Sequence, residues 1–273
     1  MKPYRIALCF SGQSRTWEFG VKNIKRFFSR NTHPETGAPI QYDYFIHTWD
    51  TNTYRPNTLT QEYKDEPVKD GTSDAIINAY TPVVFCMDSW ADFSNKVHPA
   101  RSFDGMFYSF MKSIHMKRNY ELANDFEYDC VIKVRLDTIY HPQTHFIAHT
   151  MSPLMLYSCT PISRFPHEFH YNNFDDVFYY GDSKTMDLMA NVYNIHKQKM
   201  EKYADNALLT KREPEFYYGP GTLLYKNAVD MAIHPTCFNS FPWFVVRQNV
   251  ADSGLDSLND WDQVMKLCMD WYR

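Results

Sequence analysis

Short apolar runs alternate with longer amphipathic segments through the first half of the chain. Four runs are each followed by a polar residue and are too short for helices: Arg5–Phe10, Tyr42–Ile46, Pro82–Met87 and Asp129–Val134. They are rich in β-branched, aromatic and other apolar residues with little polar alternation, which is typical of strands buried on both faces of a sheet. We therefore predict four strands here.

Two segments carry apolar residues at helical spacing, Trp17–Ser29 and Gly105–Leu122. The segment Thr51–Asp74 is polar and predicts a long loop, of the kind that closes over a bound ligand. The resulting order of strand, helix, strand, loop, strand, helix and strand is typical of a largely parallel α/β sheet.

The second half is less regular, but its apolar runs still predict alternating short strands and helices. The predicted strands are Met155–Ser158, Asp175–Gly181 and Phe244–Arg247, and the predicted helices are Lys184–Glu201 (capped by Asp182 or Ser183), Thr222–Asp230 and Leu258–Trp271. No repeat or linker separates the halves. We expect one Rossmann-like α/β domain over residues 1–273, with a central mostly parallel sheet flanked by helices.

Composition narrows the class of protein. The net charge of −4 over 273 residues argues against non-specific nucleic-acid binding. No apolar run reaches membrane-spanning length, so no membrane span is expected. The six cysteines are scattered, without a Cys-x-x-Cys pair, and no Asn-x-Ser/Thr acceptor is present. This usage favours a cytoplasmic location over a disulfide framework.

The loop after the first strand is a candidate phosphate contact. It contains Ser11, Gly12, Gln13 and Arg15, and it lies between a strand and a helix, where α/β proteins hold phosphates. The spacing fits neither Gly-x-Gly-x-x-Gly nor the Walker loop, so a dehydrogenase or P-loop enzyme is not expected. We instead expect a looser nucleotide contact, in which Arg15 is directed at a phosphate. The alternative is an ordinary turn.

Two other strand ends carry candidate ligand contacts. Thr48 and Trp49 follow the second strand and could line a base or sugar pocket, although Trp49 fits a core position equally well. The fourth predicted strand includes Lys133 and is followed by Arg135 and Asp137. Ligands in open α/β sheets bind outside the carboxyl ends of the strands, so this charged end is where chemistry is expected.

A pair of adjacent carboxylates, Asp175 and Asp176, precedes the aromatic run Val177–Gly181. Such a pair can act as a general base or bind sugar hydroxyls. The alternative is a solvated loop end.

Taken together, these segments resemble a known family. Ser-Gly-Gln-x-Arg after a strand, Tyr-Asp-Tyr-Phe-Ile-His-Thr-Trp, Tyr-Asp-x-Val-Ile-Lys-x-Arg-x-Asp and Asp-Asp-Val-Phe-Tyr-Tyr-Gly occur in this order between Ile6 and Gly181. This is similar to microbial and viral glycosyltransferase-like proteins of the GT-A fold. The resemblance implies a hexosyltransferase-like enzyme that binds a nucleotide-diphosphate sugar, such as a UDP-sugar, and transfers the sugar to a hydroxyl of a glycan or other acceptor. It also implies that residues 1–140 form a nucleotide-binding half of the domain, and residues 141–273 an acceptor-side half with closing helices.

The resemblance also implies a metal, with one departure. GT-A enzymes typically hold Mn²⁺ or Mg²⁺ with an Asp-x-Asp motif, and the matching triplet here is Arg135-Leu136-Asp137. In one mechanism Asp137 still binds the cation, with His234 as a further ligand. In the other, Arg135, Lys133 or Arg15 stabilises the diphosphate without a metal, and Asp137 holds donor hydroxyls. The first is preferred because Asp137 occupies the family's metal position.

Two other functions remain open on the sequence. One is a GT-A-like module that binds a nucleotide or glycan without catalysis, which the missing aspartate favours. The other is a sugar nucleotidyltransferase, which would need a glycine-rich basic loop after the first strand, where this chain has only Gly12.

Overall fold

The structure is a computed structural model that describes residues 2–54, 64–94, 103–159, 176–204, 220–237, 243–246 and 251–270. The strands within these ranges are β1 (Tyr4–Ser11), β2 (Ile40–Trp49), β3 (Thr51–Tyr54), β4 (Lys64–Pro67), β5 (Val84–Asp88), β6 (Cys130–Val134), β7 (Thr138–Tyr140), β8 (Met155–Ser158), β9 (Tyr179–Gly181), β10 (His234–Cys237) and β11 (Trp243–Val245). The helices are α1 (Trp17–Phe27), α2 (Thr72–Tyr80), α3 (Trp90–Ser94), α4 (Phe103–Asn124), α5 (Ser183–Ala190), α6 (Val192–Ala204), α7 (Pro220–Asp230) and α8 (Trp261–Asp270).

A seven-stranded sheet forms the centre of the molecule, in the order β10-β8-β9-β6-β1-β2-β5. Strand β1 pairs in parallel with β2 and β6, β2 with β5, and β8 with β10. Only β9 runs against its neighbours β6 and β8 within this sheet. The predicted α/β class with a large, mostly parallel central sheet is therefore confirmed.

Helices cover both faces of this sheet, because β1 is apolar on both sides. Ile6, Leu8 and Phe10 point into a core that includes residues of α1 and α2. Ala7 and Cys9 point into a second core that includes residues of α4, α5 and α7. A strand buried on both faces reads as a continuous apolar run, which is how the sequence predicted it.

The segment predicted as a long loop, Thr51–Asp74, is more ordered than expected. Its ends form the antiparallel pair β3 and β4, and α2 begins at Thr72; residues 55–63 lie outside the described ranges. The prediction was wrong for these elements because β3 and β4 are polar on both faces. Their pairing therefore leaves no apolar alternation to detect.

Other boundaries differ by smaller amounts. The predicted helix Lys184–Glu201 is two helices, α5 and α6, which meet at Asn191. The Asp182 cap is confirmed, since its carboxylate accepts a hydrogen bond of 2.9 Å from the backbone N–H of Thr185. The strand expected over Asp175–Gly181 begins at Tyr179, and the short strands β7 and β10 were not predicted. No helix among the described residues has the length and apolar character needed to cross a bilayer.

Candidate functional site

The candidate site lies where the order of the sheet reverses. The chain moves from β1 to β2 on one side and later returns to β6 on the other side of β1. Connections that leave in opposite directions open a crevice at the carboxyl ends of the two central strands, where ligands of open α/β sheets bind. Here the crevice is bordered by the residues that follow Ser11 and Val134.

Two arginines converge on one carboxylate in this crevice. Arg135 donates from Nε to Oδ1 of Asp137 and from Nη2 to Oδ2, both at 2.7 Å. Arg15 donates from Nη2 to the same Oδ2 at 2.9 Å. The Asp137 side chain is fully buried, whereas the side chains of Arg15 and Arg135 are 11% and 16% exposed. Short charge-assisted contacts of this kind hold both guanidinium groups in defined orientations.

The backbone around Asp137 is fixed from two sides. Its carbonyl accepts a hydrogen bond of 2.7 Å from Val246, next to the antiparallel pair β7–β11. On the other side, helix α1 approaches closely at Gly20. A Cβ added there would lie 3.0 and 3.1 Å from the carbonyl oxygens of Thr138 and Leu136. Glycine at this position therefore lets the helix pack directly against the segment that carries Asp137.

The loop after β1 is held by helix α4. Gly12 has φ +116°, in the region that favours glycine, and its N–H donates to Oγ of Ser109 at 2.7 Å. A Cβ built on Gly12 would meet no atom within 4 Å, so space is open beside it. Gln13 is half-buried, and Arg15 also donates to the carbonyl of Thr53 at 3.2 Å. The loop thus connects α4, β3 and the arginine pair.

Several buried hydroxyls near this crevice have no hydrogen-bond partner among the described residues. They include those of Ser11, the last residue of β1, Ser14 in the loop after it, Thr48, the penultimate residue of the neighbouring β2, and Thr138 beside Asp137. Buried polar atoms are nearly always paired in proteins, so each marks a place where a water or a ligand atom fits.

The structure places Trp49 in an aromatic cluster. Its ring lies 4.8 Å from Phe93, 5.2 Å from Trp90 and 5.5 Å from Tyr108, centroid to centroid. The residue is 1% exposed. A base or sugar ring could stack on Trp49 only if this cluster opened.

Lys133 is buried within β6 and contacts the segment that enters β9. Its ammonium donates to the backbone carbonyls of Asp176 and Val177. Because β9 is antiparallel to β6, its first residues lie at the carboxyl ends of β1 and β6. Lys133 thus brings Asp176 to the edge of the crevice; Asp175 lies outside the described residues.

The metal ligands suggested by the sequence are not brought together. Both carboxylate oxygens of Asp137 are engaged by guanidinium groups. His234 is exposed and opens β10 at the amino-terminal end of the strands, opposite to Asp137. It also lies three strands from β6, roughly 14 Å across the sheet. The donor set at Asp137 therefore does not fit a divalent cation as it stands.

A cavity of about 690 Å³ lies beside Arg15. It is bordered by the first turn of α1, by Asn52 and Glu66 on the β3–β4 pair, and by Lys69 before α2. Arg15 therefore links a cavity large enough for a small ligand to the arginine pair.

A second polar cluster, which sequence reasoning missed, lies at the carboxyl ends of β2 and β5. It contains His47, Cys86 and Asp88, with Tyr108 and Ser109 of α4 against it. Burial lowers the pKa of His47 to about 4. Burial acts to raise the pKa of Asp88, but hydrogen bonds from Cys86 and Tyr108, together with the neighbouring His47, outweigh it and hold that pKa at about 2. The available signal was that His47 and Asp88 each directly follow a predicted strand.

No family model matches the chain, and no curated protein does. The proposed function therefore rests on the side chains at the carboxyl ends of β1 and β6.

Proposed function

We propose that this protein is a GT-A-like glycosyltransferase that takes a sugar from a nucleotide-diphosphate donor, such as a UDP-sugar, and passes it to a hydroxyl acceptor. One observation carries the proposal: Arg15 and Arg135 converge at the topological switch point of the sheet. Taken by themselves, two guanidinium groups and one carboxylate carry a formal charge of +1. A diphosphate is the ligand that such a planar, positively charged pair recognises well.

The chemistry assigned to the pair follows from its charge. Transfer of the sugar leaves negative charge on the β-phosphate of the departing nucleotide. Arg15 and Arg135 would stabilise this developing charge without reorganising, because Asp137 already fixes their orientation. Asp137 is then a positioning residue rather than a ligand of the donor.

The same geometry favours the mechanism without a metal over the metal-dependent one. A Mn²⁺ or Mg²⁺ ion at Asp137 would have to displace a guanidinium from a buried carboxylate. Arg135 would also repel the ion. We therefore expect turnover to persist in a chelator, and a full loss of turnover that manganese restores would instead support the metal site.

The acceptor side is assigned to the segment before β9. Asp176 lies at the carboxyl edge of the sheet through the contact of its carbonyl with Lys133. Its carboxylate is the candidate base, or the group that orients the acceptor hydroxyl, together with Asp175. Ser11 and Thr48 offer hydroxyls, and Gly12 and Gln13 offer a loop with open space beside it, to the nucleotide.

Release of UDP from a panel of UDP-sugars tests the proposal. The wild type, Arg135→Gln and Asp176→Asn are compared in the presence of chelator, with Lys184→Gln as control because Lys184 is exposed in a surface pair. We expect release by the wild type and the control, and loss in the two site variants. Equal rates in all four proteins would contradict the assigned site.

A binding module without catalysis is the second candidate. The observation that favours it is the absence of an unengaged oxygen on Asp137, the one carboxylate retained from the family's metal motif. Binding of UDP with no release from any donor, whichever hydroxyl acceptor is supplied, would select this alternative.

A further inference from the structure

The side chains of His47, Cys86 and Asp88 present three different metal-binding atoms to one point. His47 and Cys86 lie opposite each other on the neighbouring parallel strands β2 and β5. Asp88 follows two residues after Cys86, so it lies on the same face of β5. The three ligand atoms are all within 4.8 Å of one another. Sγ of Cys86 is 3.2 Å from Oδ1 of Asp88, and Nε2 of His47 is 3.2 Å from Oδ2.

One ring nitrogen of His47 faces Ser109 and the other faces Asp88. Nδ1 lies 2.8 Å from Oγ of Ser109, which also accepts the N–H of Gly12. Nε2 is buried 3.2 Å from Oδ2 of Asp88, without the geometry of a hydrogen bond. In the tautomer that donates from Nδ1 to Ser109, Nε2 presents a lone pair to the point that Cys86 and Asp88 also face.

The carboxylate of Asp88 faces this nitrogen and the thiol of Cys86. Its Oδ2 also accepts a hydrogen bond of 2.9 Å from the hydroxyl of Tyr108. An imidazole nitrogen, a thiol and a carboxylate that meet at one point are a donor set typical of transition-metal sites.

We propose that His47, Cys86 and Asp88 bind a zinc-like divalent transition metal ion, with a solvent molecule as fourth ligand. Bonds of roughly 2.0–2.3 Å to N, O and S give tetrahedral ligand–ligand distances of roughly 3.3–3.8 Å, close to the two contacts of 3.2 Å. An imidazole and a thiolate select zinc or cobalt over Mg²⁺ and Ca²⁺, which prefer oxygen alone. With Nε2 on the ion, Nδ1 donates to Oγ of Ser109, which corresponds to the outer contact that a metal-bound histidine usually makes.

Lys112 is the group that competes with the ion. Its ammonium lies 3.4 Å from Oδ2 of Asp88, and its side chain is one-third exposed, so it can turn into solvent. Affinity should therefore increase when Lys112 is neutralised.

This site is separate from the arginine pair, and its test does not depend on the proposed transferase activity. Ser109 nevertheless connects the two, since it holds both His47 and the N–H of Gly12. A bound metal would thus steady the loop that follows β1.

Cobalt titration of the full chain, stripped with chelator and dialysed, tests the site. We expect one Co²⁺ per chain, with a thiolate-to-cobalt charge-transfer band. Cys86→Ala should abolish the band, while the matched control Cys268→Ala, a buried cysteine remote in α8, keeps it. Lys112→Gln should bind at least about tenfold more tightly, because a cation beside the site is removed.

A second readout guards against misfolded variants. Zn²⁺ should protect Cys86 of the wild type from iodoacetamide, as measured by mass spectrometry, and Asp88→Asn should lose this protection while its circular dichroism is unchanged. The proposal is overturned if the folded wild type shows no thiolate band, or if Cys86→Ala retains it. It is equally overturned if Zn²⁺ leaves alkylation of Cys86 unaffected.

Discussion

The carboxylate of Asp137 should be one of the largest single electrostatic contributions to the stability of this fold, and Asp137→Asn tests this. The substitution keeps the shape of the side chain, so packing is unchanged, but it removes the carboxylate charge that both guanidinium groups share. Removing one partner of a buried ion pair costs about 3–5 kcal/mol. Arg15 and Arg135 are 11% and 16% exposed and keep some hydration, so we expect the lower end, about 3 kcal/mol.

Urea denaturation followed by circular dichroism measures this loss as a lower midpoint at constant slope. Glu127→Gln is the matched control: Glu127 pairs with Lys184 at 3.2 Å, but both side chains are more than half exposed. Exposed pairs contribute about 0–1 kcal/mol, so the control should change little. If Asp137→Asn lowers the free energy of unfolding no more than Glu127→Gln does, Asp137 is not a stabilising buried partner of the two arginines.

A double-mutant cycle adds a second check on the same cluster. Arg135→Gln leaves Asp137 paired with Arg15. Part of the free energy of unfolding that it removes is the same interaction that Asp137→Asn removes. The combined variant should lose at least about 1 kcal/mol less than the sum of the single losses, as groups in one network do. Strict additivity would mean that the two side chains do not interact in solution.

Three further predictions concern the scaffold. Lys117→Met should lower the free energy of unfolding by about 3–5 kcal/mol in urea denaturation, because the buried ammonium holds Glu121 at 2.9 Å and Asp187 at 2.7 Å; an unchanged midpoint would contradict this. Gly20→Ala should lower the melting temperature by about 2–4 °C despite the better helix propensity of alanine, since backbone carbonyls lie 3.0 and 3.1 Å from the new Cβ. A raised melting temperature would contradict the close approach of α1 to these carbonyls. Burial lowers the pKa of His149, so below about pH 6.5 the unfolded chain binds a proton that the folded chain does not. The free energy of unfolding should therefore decrease as the pH is lowered, and His149→Gln should reduce this dependence on pH.

The central strands were predictable because they are buried on both faces. Arg5–Phe10 and Asp129–Val134 leave no polar alternation, and both became adjacent strands, β1 and β6. Their order in the chain and the rule on strand ends placed Arg15 and Arg135 at one edge of the sheet, where the structure has them.

The local sequence pattern could not show which side chains would pair with Arg15, Arg135 and Asp137. The sequence presents Asp137 as a possible metal ligand, whereas the folded chain uses both of its oxygens for arginines, one of which is 122 residues away. It also gives no indication that β9 would run antiparallel, which brings Asp176 to the site. His234 seemed a plausible partner only because strand direction and distance across the sheet are invisible before folding.

The cluster at the end of β5 was missed for a similar reason. His47 and Cys86 are 39 positions apart, and only the register between β2 and β5 sets them side by side. Strands β3 and β4 were not predicted because they are polar and have no apolar residues at the spacing typical of strands.

Calorimetric binding of UDP and of uridine, both in chelator, is the measurement that tests the central claim most directly. If Arg135 contacts the diphosphate, Arg135→Gln should weaken UDP binding by about 10–100-fold, the equivalent of one hydrogen bond to a charged group, and leave uridine binding unchanged. The exposed Lys184→Gln variant should bind both ligands like the wild type. No binding of UDP by the wild type, or the same UDP affinity in Arg135→Gln, would contradict the account.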